Sequence, residues 1–145
     1  MIEATVESVI AEARSWLRTP WHHRARVKGL RGGVDCVMLL AEVYEAVGAI
    51  EHVEPEYYPA DIMLHRGGEP VVVWLERLGV EVSAPVLGGV IVYQFGHSYS
   101  HAGICVGTDA IIHAYRSCGQ VVETRFNDSN LDGRPRRYFA MKGVL

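Results

Sequence analysis

No run of apolar residues in this chain approaches the ~18 that a membrane-spanning helix needs, so no membrane partner is expected. Positive charge is not in excess either: 14 Lys and Arg stand against 17 Asp and Glu, for a net charge of −3. That balance argues against a protein that coats nucleic acid, whose affinity rests on neutralising phosphates. Cysteine is scarce and odd in number, with Cys36, Cys105 and Cys118 leaving one thiol over in any disulfide scheme. The first residues carry acids where a secretory signal would carry bases, and no cleavable apolar stretch follows. The expectation is folding in a reducing cytoplasm with all thiols free, so that any work outside the cell needs a delivery device. Low-complexity tracts and internal repeats are also missing. What is present is an ordinary apolar share, 49 % of 145 residues, enough for one core in a single domain spanning 1–145.

Charge is unevenly laid out. Arg14 to Arg31 holds six basic residues and no acid, whereas Glu42 to Glu56 holds five acids and no Lys or Arg; Arg136 and Arg137 are adjacent. These stretches read either as solvated faces or as a basic rim that attracts an anionic polymer or a partner protein. Ile2, Val6, Val9, Ile10, Ala13, Trp16 and Leu17 make a helical stripe over residues 2–18, ended by Pro20. Residues 21–33 are basic and glycine-bearing and read as a loop. A second helix is expected from Asp35 as N-cap to about Val47, with Gly48 at its left-handed end. Short helices are expected at 60–66 and 71–78. Strands follow at 90–95, 102–106, 110–115, 120–124 and 137–142, separated by glycine-rich or polar breaks. Helices first and antiparallel strands after them is an α+β pattern.

Cys36 follows the N-cap directly. A helix start offers unpaired N–H groups and partial positive charge, which favour a thiolate and could hold the oxyanion formed when it attacks a carbonyl. The segments Ser100–Gly107 and Ala110–Tyr115 read as a hairpin. A three-residue turn with its bulge would set Gly103 opposite His113 and bring His101 onto the same face. Cys105 and Ile111 would share that face and meet the Cys36 helix. His101 is then placed to take the Cys36 proton, and His113 to orient the His101 ring. Zinc is the competing chemistry, since histidines and cysteines are available, but no Cys-x-x-Cys or His-x-x-x-His spacing occurs. No metal or other cofactor is expected.

Gly33-Val34-Asp35-Cys36, then His101-Ala102-Gly103-Ile104, then Ile112-His113-Ala114 together resemble an NlpC/P60 cysteine peptidase. Trp16 to Arg24 resembles the version found in bacteriophage tails and gene-transfer agents. The likeness runs from about residue 10 to 115. It implies a papain-like α+β fold in which a helix presents the cysteine to an antiparallel sheet. It further implies cleavage of peptidoglycan stem peptides, commonly between γ-D-glutamate and a diamino acid, with Cys36 as nucleophile, His101 as base and His113 as third polar residue. Asp35 would line the cleft and meet a substrate amine, beside Trp21 and His23. Three positions depart from the family's pattern. Val37 and Met38 stand where many relatives have serine and glycine, Trp21-His22-His23 where a tyrosine often assists the oxyanion, and Leu87-Gly88-Gly89 where Pro-Gly-Asp is usual. Tryptophan donates only its indole N–H, so His23 is the substitute donor expected here. The same branch of the family implies phage-like tail or baseplate partners and carriage on a tail particle. The rival readings are a structural tail-tip or assembly protein with an idle site, and an acyltransferase or amidase acting on small thioesters.

Overall fold

The structure, a computed structural model, describes residues 4–54 and 69–145. The helix expected at 60–66 and the first two residues of the N-terminal stripe's span lie outside the described residues. Helix α1, Val6–Arg14, opens on a reciprocal cap: Ser8 N–H donates to Thr5 Oγ1 (3.1 Å) and Thr5 N–H to Ser8 Oγ (2.9 Å). It stops four residues short of the expected end. Ser15 caps it, and Arg18 adopts a left-handed conformation that no helix tolerates.

The stretch read as a loop contains a small antiparallel ribbon, β1 (Arg26–Val27) against β2 (Gly33–Val34). Basic side chains hide such a short pairing from any periodicity argument. Helix α2, Cys36–Ala46, begins after Asp35 as expected, and Gly48 takes the left-handed conformation (φ +81°) beyond its end. Val37, Met38 and Ala41 are buried along with Leu39, Leu40, Val43 and Tyr44. A helix apolar on nearly every side is a core helix.

Helix α3 (Pro70–Leu78) runs without a break into β3 (Gly79–Val82), a strand that sequence reading omits because no turn residues separate the two. β4 (Val90–Phe95), β5 (Ser98–Gly107), β6 (Ala110–Tyr115), β7 (Gln120–Arg125) and β8 (Arg136–Met141) complete the sheet. Its order is β3-β8-β4-β5-β6-β7, with every pairing antiparallel.

Alternation along the strands builds two cores. Val90, Val92, Ala102, Ile104, Ile112 and Ala114 face the helices. Ile91, Tyr93, Cys105, Ile111 and Leu131 make a second cluster with Phe126. The expectation that the face shared by Cys105 and Ile111 meets the Cys36 helix is therefore wrong: they lie on the other face, under the 126–135 connection. Alternation along β5 and β6 puts His101 and His113 on that face with them.

The oppositely charged runs partly meet each other. Arg26 pairs with Glu42 (3.2 Å), Glu45 (3.3 Å) and Glu54 (3.6 Å), and Lys28 with Glu12 (2.8 Å). Arg137 holds Glu81 with two nitrogens, at 2.9 and 2.6 Å. Arg136 donates to the carbonyls of Phe126 and Leu131. These four cations are engaged within the fold.

Candidate active site

The β5–β6 hairpin has the register expected, reached by another route. Gly107 pairs with Ala110 across a two-residue turn, and a bulge between Cys105 and Gly107 shifts the ladder so that Ile104 meets Ile112. Gly103 then lies opposite His113. A Cβ on Gly103 would stand 3.1 Å from His113 Cβ and from the Ile112 carbonyl, so a larger residue would crowd the imidazole. His101 Nε2 and His113 Nδ1 are 2.7 Å apart, a hydrogen bond between two rings on one sheet face. The His101 ring sits among Phe95, His113 and Tyr115, with centroids 5.3, 5.0 and 5.3 Å away.

A second irregularity places the thiol. Tyr93 pairs with His101 but Gln94 with Tyr99, so Ser100 is an extra residue in β5 with no ladder partner. Its carbonyl is thereby left open, and Cys36 Sγ donates to it at 3.5 Å. The Ala102 N–H also faces the sulfur. Cys36, at the start of α2, thus touches the backbone on both sides of His101.

Charge states follow from burial. The N–H groups of Ala102, Val37 and Cys36 do lower the thiol pKa, as a helix start should. Desolvation first, and the Asp35 carboxylate second, outweigh them and push it up to about 12. His101 is pushed down to about 4 by desolvation, aided by the Arg134 guanidinium. Burial likewise drives His113 down, to about 2, with His101 contributing. At rest, then, the thiol and both imidazoles are neutral, and the thiol's hydrogen bond goes to the Ser100 carbonyl and not to a ring. The helix terminus loses to dehydration because its partial charge is smaller than the cost of stripping water from the anion of the half-buried Cys36.

This arrangement has a stability consequence. Both histidines have folded pKa values below the ordinary 6.5, so between that pH and about 4 the unfolded chain binds more protons. Their stabilising contribution is whole above 6.5 and is lost as pH falls toward the folded values. The urea midpoint is expected to drop between about pH 7 and pH 5; an unchanged midpoint would show that the rings are not buried neutral.

Asp35 is buried at 3 % exposure. Its Oδ1 accepts from Met38 N–H (2.9 Å) and its Oδ2 from Arg24 N–H (2.7 Å), with His23 Nδ1 at 3.7 Å from Oδ2. Arg24 holds a positive φ of 60°, rare outside glycine, asparagine and aspartate. These contacts make Asp35 a clamp between the 20–34 segment and α2. Trp21 is half-buried, hydrogen-bonds through its backbone N–H to Gly119 (2.8 Å), and lies under the Arg116 guanidinium at 5.0 Å.

Sequence reading passed over three groups. Thr124 Oγ1 lies 2.9 Å from His113 Nε2. Tyr115, whose ring packs 4.7 Å from His113, has a buried hydroxyl without a hydrogen-bond partner among the described residues. Arg134 stacks 3.7 Å over Phe95 and bears on His101. Thr124 was within reach of a sequence argument. Continuing the sheet through the Arg116–Gly119 turn makes it the diagonal neighbour of His113.

No family model matches the sequence, and no curated protein does. Solved structures match in fold. The NlpC/p60 domain of the peptidoglycan hydrolase SagA superposes with a TM-score of 0.62 at 16 % identity, covering 95 % of this chain and 100 % of that one. NlpC1 from Trichomonas vaginalis gives 0.65 at 16 % identity, over 94 % of this chain and 43 % of that one. The peptidoglycan hydrolase RipB from Mycobacterium tuberculosis gives 0.59 at 20 % identity, over 93 % and 63 %. The chain spans all of the first and less than two-thirds of the other two. With its helices packed on one antiparallel sheet, this chain has the fold of NlpC/P60 domains.

Proposed function

We propose that the protein is a cysteine hydrolase that opens amide bonds in peptidoglycan stem peptides, at the link between γ-D-glutamate and a diamino acid. The observation that carries this reading is the imidazole pair, His101 Nε2 to His113 Nδ1 at 2.7 Å, beside a thiol held on the backbone flanking His101. SagA and RipB, which share the fold, are peptidoglycan hydrolases. In the reaction, Cys36 turns from the Ser100 carbonyl toward His101. Sulfur bonds to the carbonyl carbon as its proton passes to His101 Nδ1. The N–H groups at the α2 start hold the oxyanion, with the His23 side chain near the same helix end. His101 then gives the proton to the departing amine as the C–N bond breaks. Water attacks the thioester, its proton going to His101, and the acid leaves as the thiol is restored.

The tail-type resemblance of residues 16–24 supports a further part of the reading: carriage on a phage-like tail or baseplate, which would bring a protein made in the cytoplasm to the wall. Co-purification with tail particles is the expected result.

One observation favours the rival reading, an assembly protein with an idle site. The thiol is neutral and bonded to a carbonyl, not to the imidazole. Purified sacculi separate the two. Mass spectrometry should find released stem peptides with the wild type and none with Cys36→Ala. Equal release by both, or by neither, would overturn the hydrolase reading.

A further inference from the structure

Thr124 closes a chain of hydrogen bonds that runs inward from the sheet's last strand. Its hydroxyl lies 3.2 Å from the Arg125 carbonyl and 2.9 Å from His113 Nε2. A carbonyl can only accept, so in the order that satisfies both contacts the single hydroxyl proton of Thr124 goes to Arg125 and the threonine oxygen accepts from His113 Nε2–H. A neutral imidazole carries one proton, so His113 Nδ1 bears a lone pair. The 2.7 Å contact therefore requires His101 Nε2–H to donate to it. That leaves the lone pair of His101 on Nδ1.

We propose that Thr124 is a positioning residue: through His113 it fixes the tautomer of His101 and so keeps Nδ1 free to take a proton. The catalytic consequence rests on the hydrolase reading above; the tautomer assignment does not. Were the order reversed, with Thr124 donating to His113, both rings would carry their protons on Nδ1. His101 would then present an N–H to the thiol, and its only lone pair would be tied up by His113. The carbonyl of Arg125 is what selects between these two orders, because it gives the threonine proton a destination within the strand.

The histidine tautomers are directly visible in long-range proton–nitrogen spectra of protein labelled with 15N-histidine. At neutral pH, His101 and His113 are both expected as Nε2–H forms in the wild type and in Thr124→Ser, which keeps the hydroxyl. Thr124→Val keeps the shape but removes the acceptor, and should convert a substantial fraction of both rings to the Nδ1–H form. Wild-type rings protonated on Nδ1, or a Thr124→Val spectrum identical to wild type, would overturn the proposal. Stem-peptide release follows the same order if the hydrolase reading holds. Thr124→Val should lose on the order of 10- to 100-fold in kcat, the size of loss seen when the outer partner of a metal-binding histidine is removed, with KM little changed, and Thr124→Ser should restore it. Nε2–H tautomers in a protein that releases nothing would sink the hydrolase reading alone. Cleavage by a protein with Nδ1–H rings would sink this one alone. Should Thr124→Val fail to fold, the wild-type and Thr124→Ser spectra still decide.

Discussion

His101→Ala is expected to lower kcat/KM for stem-peptide cleavage by roughly 10²- to 10⁴-fold, the range for losing a positioned general base. The loss should be large because His113 is a poor replacement: its Nε2 stays with Thr124, and burial drives it down to about 2, a weaker base than His101. A thiol raised to about 12 has almost no thiolate of its own at neutral pH, so attack without a base is slow. A ring lowered to about 4 is neutral across the same range and ready to accept. Activity should therefore fall only when acid protonates His101, near pH 4 in the free protein and not near 6.5. Steady-state rates of muropeptide release across pH check both points. A His101→Ala variant within threefold of wild type would remove the base from the account.

Asp35 carries the second large effect, in which stability and reactivity separate. Asp35→Ala takes the acceptor from Met38 N–H at the α2 start and from Arg24 N–H in the packed segment. Losing an N-cap costs about 1 kcal/mol, and a buried orphan N–H adds about 1–3 kcal/mol. Thermal unfolding should show a fall on the order of 10 °C. Asp35→Asn retains a carbonyl oxygen for one of these donors and should lose less. It also removes the negative charge that raises the thiol pKa. Iodoacetamide should therefore react with Cys36 faster in Asp35→Asn than in wild type at neutral pH. Slower reaction would mean that the carboxylate assists ionisation.

Particular residues show which parts of this were legible in the sequence. Asp35, Cys36 and Gly48 mark both ends of α2 because caps are local, and the strand from 110 to 115 is bounded by turn chemistry on both sides. The His101–His113 adjacency followed from counting residues around one hairpin. What escaped is set by tertiary context. β3 follows α3 with no turn between them, and the β1–β2 ribbon is too short to show a period. Cys105 and Ile111 were assigned to the wrong layer because alternation says which residues share a face but not which face the helices cover. The state of the thiol escaped for a similar reason. A helix start is visible in sequence, whereas the desolvation that outweighs it depends on how β5 packs against α2. The bulge at Ser100, which gives the sulfur its hydrogen bond, leaves no mark in the residues themselves.

The most direct test is the alkylation rate of Cys36 as a function of pH, followed by mass spectrometry so that the exposed Cys118 and the buried Cys105 are read separately. A thiol held neutral by burial predicts a rate that is low near pH 7 and still climbing beyond about pH 10, above the point where an ordinary thiol of pKa about 8.5 levels off. A fast plateau extending from acid through neutral pH is the mark of a preformed thiolate–imidazolium pair, and would contradict the account.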